Sequence, residues 1–126
     1  MKKVMDDDHP DLATILNNMG SISYAQGNFA EAEEDLRKSL TLRLRHLPEH
    51  NPAILTTRAN LAAALMGAKR FAEAESELKT CLTGVEQKKG ETGLTPELVA
   101  RMLHSALQGQ KKEKEAAALA KHYGLS

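Results

Sequence analysis

Phe29-Ala30-Glu31-Ala32-Glu33 and Phe71-Ala72-Glu73-Ala74-Glu75 are the same five residues, 42 positions apart in a chain of 126. The match spreads outward at that offset. Upstream, Pro10 falls on Pro52 and Asn18 on Asn60; downstream, Leu36 falls on Leu78 and Leu40 on Leu82. Identity on both sides of a shared pentapeptide, all at one offset, identifies an internal repeat and implies units stacked on one another. A degraded third copy follows. Leu61 maps to Leu103, Ala64 to Ala106, Leu65 to Leu107 and Ala74 to Ala116, whereas Phe71 maps to Glu113. A terminal repeat is expected to differ, because one of its faces has no neighbour.

Each copy reads as two helices. Leu12, Ile15, Leu16, Met19 and Ile22 recur at steps of three and four, the period of an amphipathic helix. Pro10 starts this helix, with Asp8 as its expected cap, and Gly27-Asn28 breaks it. The second helix carries Phe29, Ala32, Leu36, Leu40, Leu44 and Leu47 and stops before Pro48. Asn51-Pro52 and Thr95-Pro96-Glu97 open the later pairs, Gly67 to Arg70 breaks the second pair, and Gly90 to Gly93 forms a loop. Helices are expected near 10–26, 29–46, 52–67, 71–88, 96–108 and 111–123. Residues 1–8 then form an acidic tail, and 9–126 one domain with repeats at about 9–50, 51–92 and 93–126. In the last stretch Ala116, Leu119, Ala120 and Tyr123 make a narrow apolar stripe among Lys and Glu.

Composition agrees with an all-α chain. There is no Trp, the only other aromatic rings besides histidine are Tyr24, Tyr123, Phe29 and Phe71, and Leu and Ala dominate the apolar set. Seventeen basic and seventeen acidic side chains give a formal charge of zero and are mixed along the chain. No basic field of the kind that neutralises a phosphate backbone is present, so nucleic acid is not an expected partner. No apolar run approaches the ~20 residues of a membrane span, and no secretory leader precedes the repeats. Cys81 stands alone, which rules out an intrachain disulfide and suits a reducing compartment. A cytoplasmic protein without membrane association is expected.

The chemistry-bearing residue types do not converge. His46 and His50 are four apart but flank Pro48, so they do not share a helical face, and no third ligand stands at zinc spacing. Cys81 takes the place of Ser39 and reads as a buried, inert thiol, because no base accompanies it. Asp6, Asp7 and Asp8 read as an exposed acidic start, and no strand precedes a Gly-rich phosphate loop. No metal, no cofactor and no catalysis are expected.

The order of small residue, aromatic and alanine resembles the tetratricopeptide signature. Gly20 and Ala62 stand at its small position, Phe29 and Phe71 at its aromatic one, and Ala32 and Ala74 at its alanine. Small residues let the helices of a hairpin approach, and the aromatic closes the turn beside them. The family's usual period is about 34 residues. The roughly eight extra here would lengthen the second helix by ~12 Å, with Leu44 and Leu47 continuing its stripe. A 42-residue period, an Asp8-His9-Pro10-Asp11 start and the Asn17-Asn18 pair resemble the kinesin light chain subtype over nearly the whole chain. Pro48-Glu49 departs from it, standing where that subtype carries glycine-proline.

The resemblance implies a right-handed superhelical stack of antiparallel helix pairs, about three repeats long, with first helices lining a concave groove. It also implies a protein- or peptide-binding adaptor or scaffold that holds an extended segment there. In the subtype an asparagine contacts the backbone of the bound peptide. That role falls on Asn18 and Asn60, while the third equivalent is Met102. By helical spacing Asn17, Ser21, Tyr24, Ala63, Met66, Arg101 and Ser105 share this face, with Thr14, Thr56, Ala59 and Leu98 beside them. Arg101 is its single charge, so the several Lys and Arg with which chaperone-binding relatives clamp a carboxylate are missing. The alternative is a self-assembling structural protein. Its seam would be the stripe from Leu12 to Ile22, which has no preceding repeat to cover it, and a homo-oligomer through the terminal repeats would result.

Overall fold

The computed structural model describes residues 9–88 and 93–125, so the expected tail at 1–8 and most of the loop at 90–93 lie outside the described residues. These residues form α1 (Pro10–Ala25), α2 (Phe29–His46), α3 (Pro52–Gly67), α4 (Phe71–Gln87), α5 (Pro96–Gly109) and α6 (Glu113–Tyr123). The fold is all-α, in three tandem helix pairs.

Each first helix begins with a side-chain cap followed by proline, which needs no hydrogen-bond partner for its missing N–H. His9 caps α1, its Nδ1 accepting from the Asp11 amide at 3.0 Å, while the expected cap Asp8 lies outside the described residues. Asn51 accepts from Ala53 N at 2.9 Å, and Thr95 from Leu98 N at 3.1 Å. The turn inside each pair repeats one geometry. Gly27, Lys69 and Lys111 occupy the left-handed region, with φ of 81°, 62° and 61°. The following amide reaches back five residues: Asn28 to Ser23 O, Arg70 to Leu65 O and Lys112 to Leu107 O, at 2.8 to 2.9 Å. This is the Schellman closure, and only the first copy gives it the residue it prefers. The second break therefore sits at Lys69, because Gly67 is still helical.

Within a pair, small residues bring the helices together. A Cβ on Gly20 would stand 2.6 Å from Leu36 Cγ. Ser39 Oγ donates to Ala13 O at 2.6 Å, and its counterpart Cys81 Sγ donates to Leu55 O at 3.4 Å. Burial pushes the Cys81 thiol up to about 11, so it stays protonated near neutrality.

Between pairs the aromatic does more than close its own turn. The Phe29 ring lies 5.6 Å from that of Tyr24 but also against the next repeat, where a Cβ on Gly67 would stand 2.4 Å from Phe29 Cε1. Phe71 meets Gly109 in the same way, at 2.6 Å. Consecutive helices pack along the chain, and α1, α3 and α5 also touch one another, which places the first helices on the inner side. The lengthened α2 runs to His46, but Leu44 faces solvent; Leu47, already extended backbone, packs against the core instead.

On the outer side each junction carries a charged clasp. Glu33 binds Arg37 and Arg70, and Arg37 and Arg70 both bind Glu73. Burial acts to raise the Glu33 carboxyl, but the two guanidinium groups outweigh it and hold it below the ordinary range. One repeat on, Glu75 meets Lys79 at 2.6 Å, Lys112 at 3.0 Å and Gln110 Nε2 at 2.7 Å. The Lys79 hydrogen bond leads these partners in holding the Glu75 carboxyl down at about 2, against burial.

Because folding lowers this pKa, the contribution of Glu75 is complete above the ordinary carboxylate value of 4.5 and is lost as pH falls toward about 2. Glu75→Gln should therefore remove about 1–2 kcal/mol at pH 7 and flatten the acid limb of the stability curve, as read by urea unfolding at stepped pH. In α6 Ala116 alone is fully buried, whereas α3 and α4 fill the centre. Amide exchange should accordingly be faster across 113–123 than across 52–87, and equal protection would contradict that order.

Candidate functional site

The inner side collects side chains from three successive first helices. Tyr24 from α1, Ala63, Met66 and Gly67 from α3, and Arg101, Met102 and Ser105 from α5 line one open depression of about 400 Å³. Five of the nine residues expected in a groove meet here: Tyr24, Ala63, Met66, Arg101 and Ser105. Gly67 and Met102 join them. Gly67 escaped the sequence reading because it looked like a helix breaker, and Met102 entered it only as the missing third asparagine. Tyr24 and Leu98 are exposed apolar side chains on this side. Arg101 is exposed and carries no ion pair among the described residues.

The remaining four lie on the neighbouring turns, outside this depression. Asn18 and Ser21 are exposed; Ser21 Oγ donates to Asn17 O at 3.1 Å. Asn17 and Asn60 are half-buried and face each other across the first junction, where Asn60 Nδ2 donates to Asn17 Oδ1 at 3.2 Å. Ala59, read as a neighbour of this face, is buried.

Two residues that the sequence reading did not single out complete the polar cluster. Arg43 of α2 donates to Ala53 O at 2.9 Å and to Thr57 Oγ1 at 2.6 Å, and Thr57 Oγ1 lies 3.2 Å from Asn17 Oδ1. Burial lowers the pKa of Arg43, yet an arginine stays charged at any physiological pH. The signal for this cluster was in the repeat register: Arg43 and Thr57 stand where the next junction has Val85 and Val99, both fully buried.

The inner side can therefore offer a shallow apolar floor, a free guanidinium and amide groups of two kinds. Asn18 is open to a ligand, whereas Asn60 has one of its two amide N–H donors engaged by Asn17 and its carbonyl available. Such a surface suits an extended backbone. Among the described residues no His, Cys, Asp and Glu cluster could hold a metal ion. No described helix is long and apolar enough to cross a membrane.

Comparison with known families matches residues 11–87, more than half of the chain, to the tetratricopeptide repeat. The chain belongs to the tetratricopeptide repeat family. Among solved structures, the "putative kinesin light chain nearly identical TPR-like repeats" of Podospora anserina superpose on 96% of this chain with a TM-score of 0.79 at 21% identity. At that identity the likeness concerns the fold alone. The chain spans 57% of the length of that structure. No curated protein matches the chain. The tetratricopeptide fold generally mediates contacts between proteins through its concave groove, which is the side on which this depression lies.

The polar and apolar versions of the same junction position make a testable pair. Thr57→Val alone removes the acceptor of a half-buried guanidinium and should cost about 1–3 kcal/mol. Adding Arg43→Val copies the Val85–Val99 arrangement and should recover most of that loss, a coupling measured by a double-mutant cycle in urea.

Proposed function

We propose that this tetratricopeptide protein is a binding module, an adaptor or scaffold, that holds an extended polypeptide segment along its inner side. The observation that carries this reading is the single depression built from Tyr24, Ala63, Met66, Arg101 and Ser105, contributed by all three repeats. A ligand crossing it touches apolar carbon on two helices and then meets Arg101, so the segment that fits carries an acidic side chain near the third repeat. Backbone contacts fall to Asn18, with its free amide, and to the carbonyl of Asn60, in keeping with the kinesin light chain-like pattern. Selectivity falls to Tyr24, Met66 and Arg101. The binding reading is non-enzymatic and cytoplasmic. The Cys81 thiol, buried and kept protonated, agrees with it.

The two asparagines should respond differently. Asn18→Ala should leave stability unchanged and weaken a peptide selected from a random library by ~1–3 kcal/mol. Asn60→Ala should weaken the same peptide and also lower stability, because it removes the hydrogen bond to Asn17. Arg101→Glu should shift the selected sequences from acidic to basic at one position. Titration of that peptide against wild type and the three folded variants tests this. Affinity unmoved in all three would place the binding surface elsewhere.

A further inference from the structure

The exposed face of α1 is the face by which α3 and α5 attach to the helix before them. Ile15, Met19 and Ile22 are 44%, 49% and 58% exposed, while their register equivalents Thr57, Leu61 and Ala64 in α3, and Val99, Leu103 and Ala106 in α5, are at most 3% exposed. What covers those equivalents is the second helix of the preceding repeat, α2 or α4. At the other end of the described stack, α6 is a second helix that packs on α5 and on no other described helix. Its outward residues Glu113, Ala117 and Lys121 are all exposed.

We infer that α6 of one copy docks on the carboxyl-terminal half of α1 of a second copy, extending the stack head to tail. This inference is independent of the peptide-binding reading and rests on how the exposed faces of α1 and α6 match. Where Phe29 meets Gly67 and Phe71 meets Gly109, the ends offer Glu113 and Ala25. A Cβ at Gly67 would stand 2.4 Å from the Phe29 ring, so Ala25 does not accept a phenylalanine seated in that way, whereas a flexible glutamate can turn aside. Where Glu33 meets Arg70 and Glu75 meets Lys112, the ends offer Ala117 and Asn28, both uncharged. Where Arg37 meets Glu73, the ends offer Lys121 and Glu31, again of opposite sign. Neither of those two has an ion pair among the described residues. At the core positions of Leu36 and Ala64 the sizes are exchanged, Ala120 on α6 against Ile22 on α1. Each loss on one end is accompanied by a compatible change on the other, which a pair of unrelated polar caps would not require.

α6 has 11 residues against 18 in α2, so it reaches Met19, Ile22 and Ala25 but not Leu12 or Leu16. The interface is then smaller than the ~1,200 Å² of a stable complex, and the association is weak and reversible. Because the contact joins two different surfaces, it does not close on itself at a dimer.

Sedimentation equilibrium over a dilution series of the full chain is the test. Wild type should be a 13.8 kDa monomer at low concentration, with a weight-average mass that climbs past the dimer as concentration rises. Ile22→Glu closes the α1 face, and Ala117→Glu with Lys121→Glu closes the α6 face; all three side chains are exposed, so both variants should keep wild-type helicity. Each variant alone should stay monomeric, and their equimolar mixture should form a one-to-one heterodimer through the two intact faces. Overturning results are a wild type that stays monomeric at every concentration, or an α6-closed variant that still dimerises, which would mean α1 pairs with α1. A mixture that gains no mass would overturn it as well.

Discussion

Phe29 lies where a side chain on Gly67 would have to be, and Phe71 takes the same seat at Gly109. The seat is bare backbone at the end of the following first helix, and its depth sets how closely one repeat can approach the next. A residue with a Cβ there would lift the ring and with it the whole neighbouring pair. In a stacked protein each repeat meets only its neighbours, so stability resides in the interfaces as much as in the hairpins. Fixing the approach at one end of the helix lets Leu36 and Ala64, or Leu78 and Ala106, close into one continuous core behind it.

The two junctions built on this seat distribute their polar groups in opposite ways. In the first, the half-buried cluster is on the inner side, where Arg43, Thr57, Asn17 and Asn60 share hydrogen bonds, and the outer clasp is largely open to water. In the second, the inner position is the Val85–Val99 pair, and the buried charge is Glu75 on the outer side with Lys79, Lys112 and Gln110. A buried polar group that keeps its partners costs little, while one that loses a partner costs the full desolvation of what remains. Each junction thus tolerates sliding poorly on one side only, and that side alternates along the stack.

Much of this was legible because a repeat is read twice. The offset of 42 located five of the six helix starts to the residue and paired Ser39 with Cys81, whose side chains donate to equivalent carbonyls. The misses have local causes. Lys69 and Lys111 hold a left-handed turn without the glycine that signals one, so the second break was legible only as the span from Gly67 to Arg70, and Gly67 itself is helical and small for the sake of Phe29. Leu44 fits the apolar period by sequence, but α2 has turned it toward water by that point. Helical spacing put Tyr24, Ala63, Met66, Arg101 and Ser105 on one side of α1, α3 and α5, where they line one depression. It could not show that Asn60 spends one of its two donors on Asn17, because a side-chain pair 43 residues apart leaves no periodic trace.

The proposed function has a consequence for the stack itself. Tyr24, Met66 and Arg101 belong to three different repeats, so a segment lying across them adds contacts that exist only while the repeats are stacked. Under the proposed function such a ligand would bind the assembled protein and not its separated parts, and mass action would stabilise the stack by RT ln(1 + [L]/Kd). α5 brings Arg101, Ser105 and Met102 to the depression, and α6, packed against α5, has Ala116 as its one fully buried side chain. Under the proposed function, occupancy of the depression and the integrity of the third repeat would then be coupled through α5.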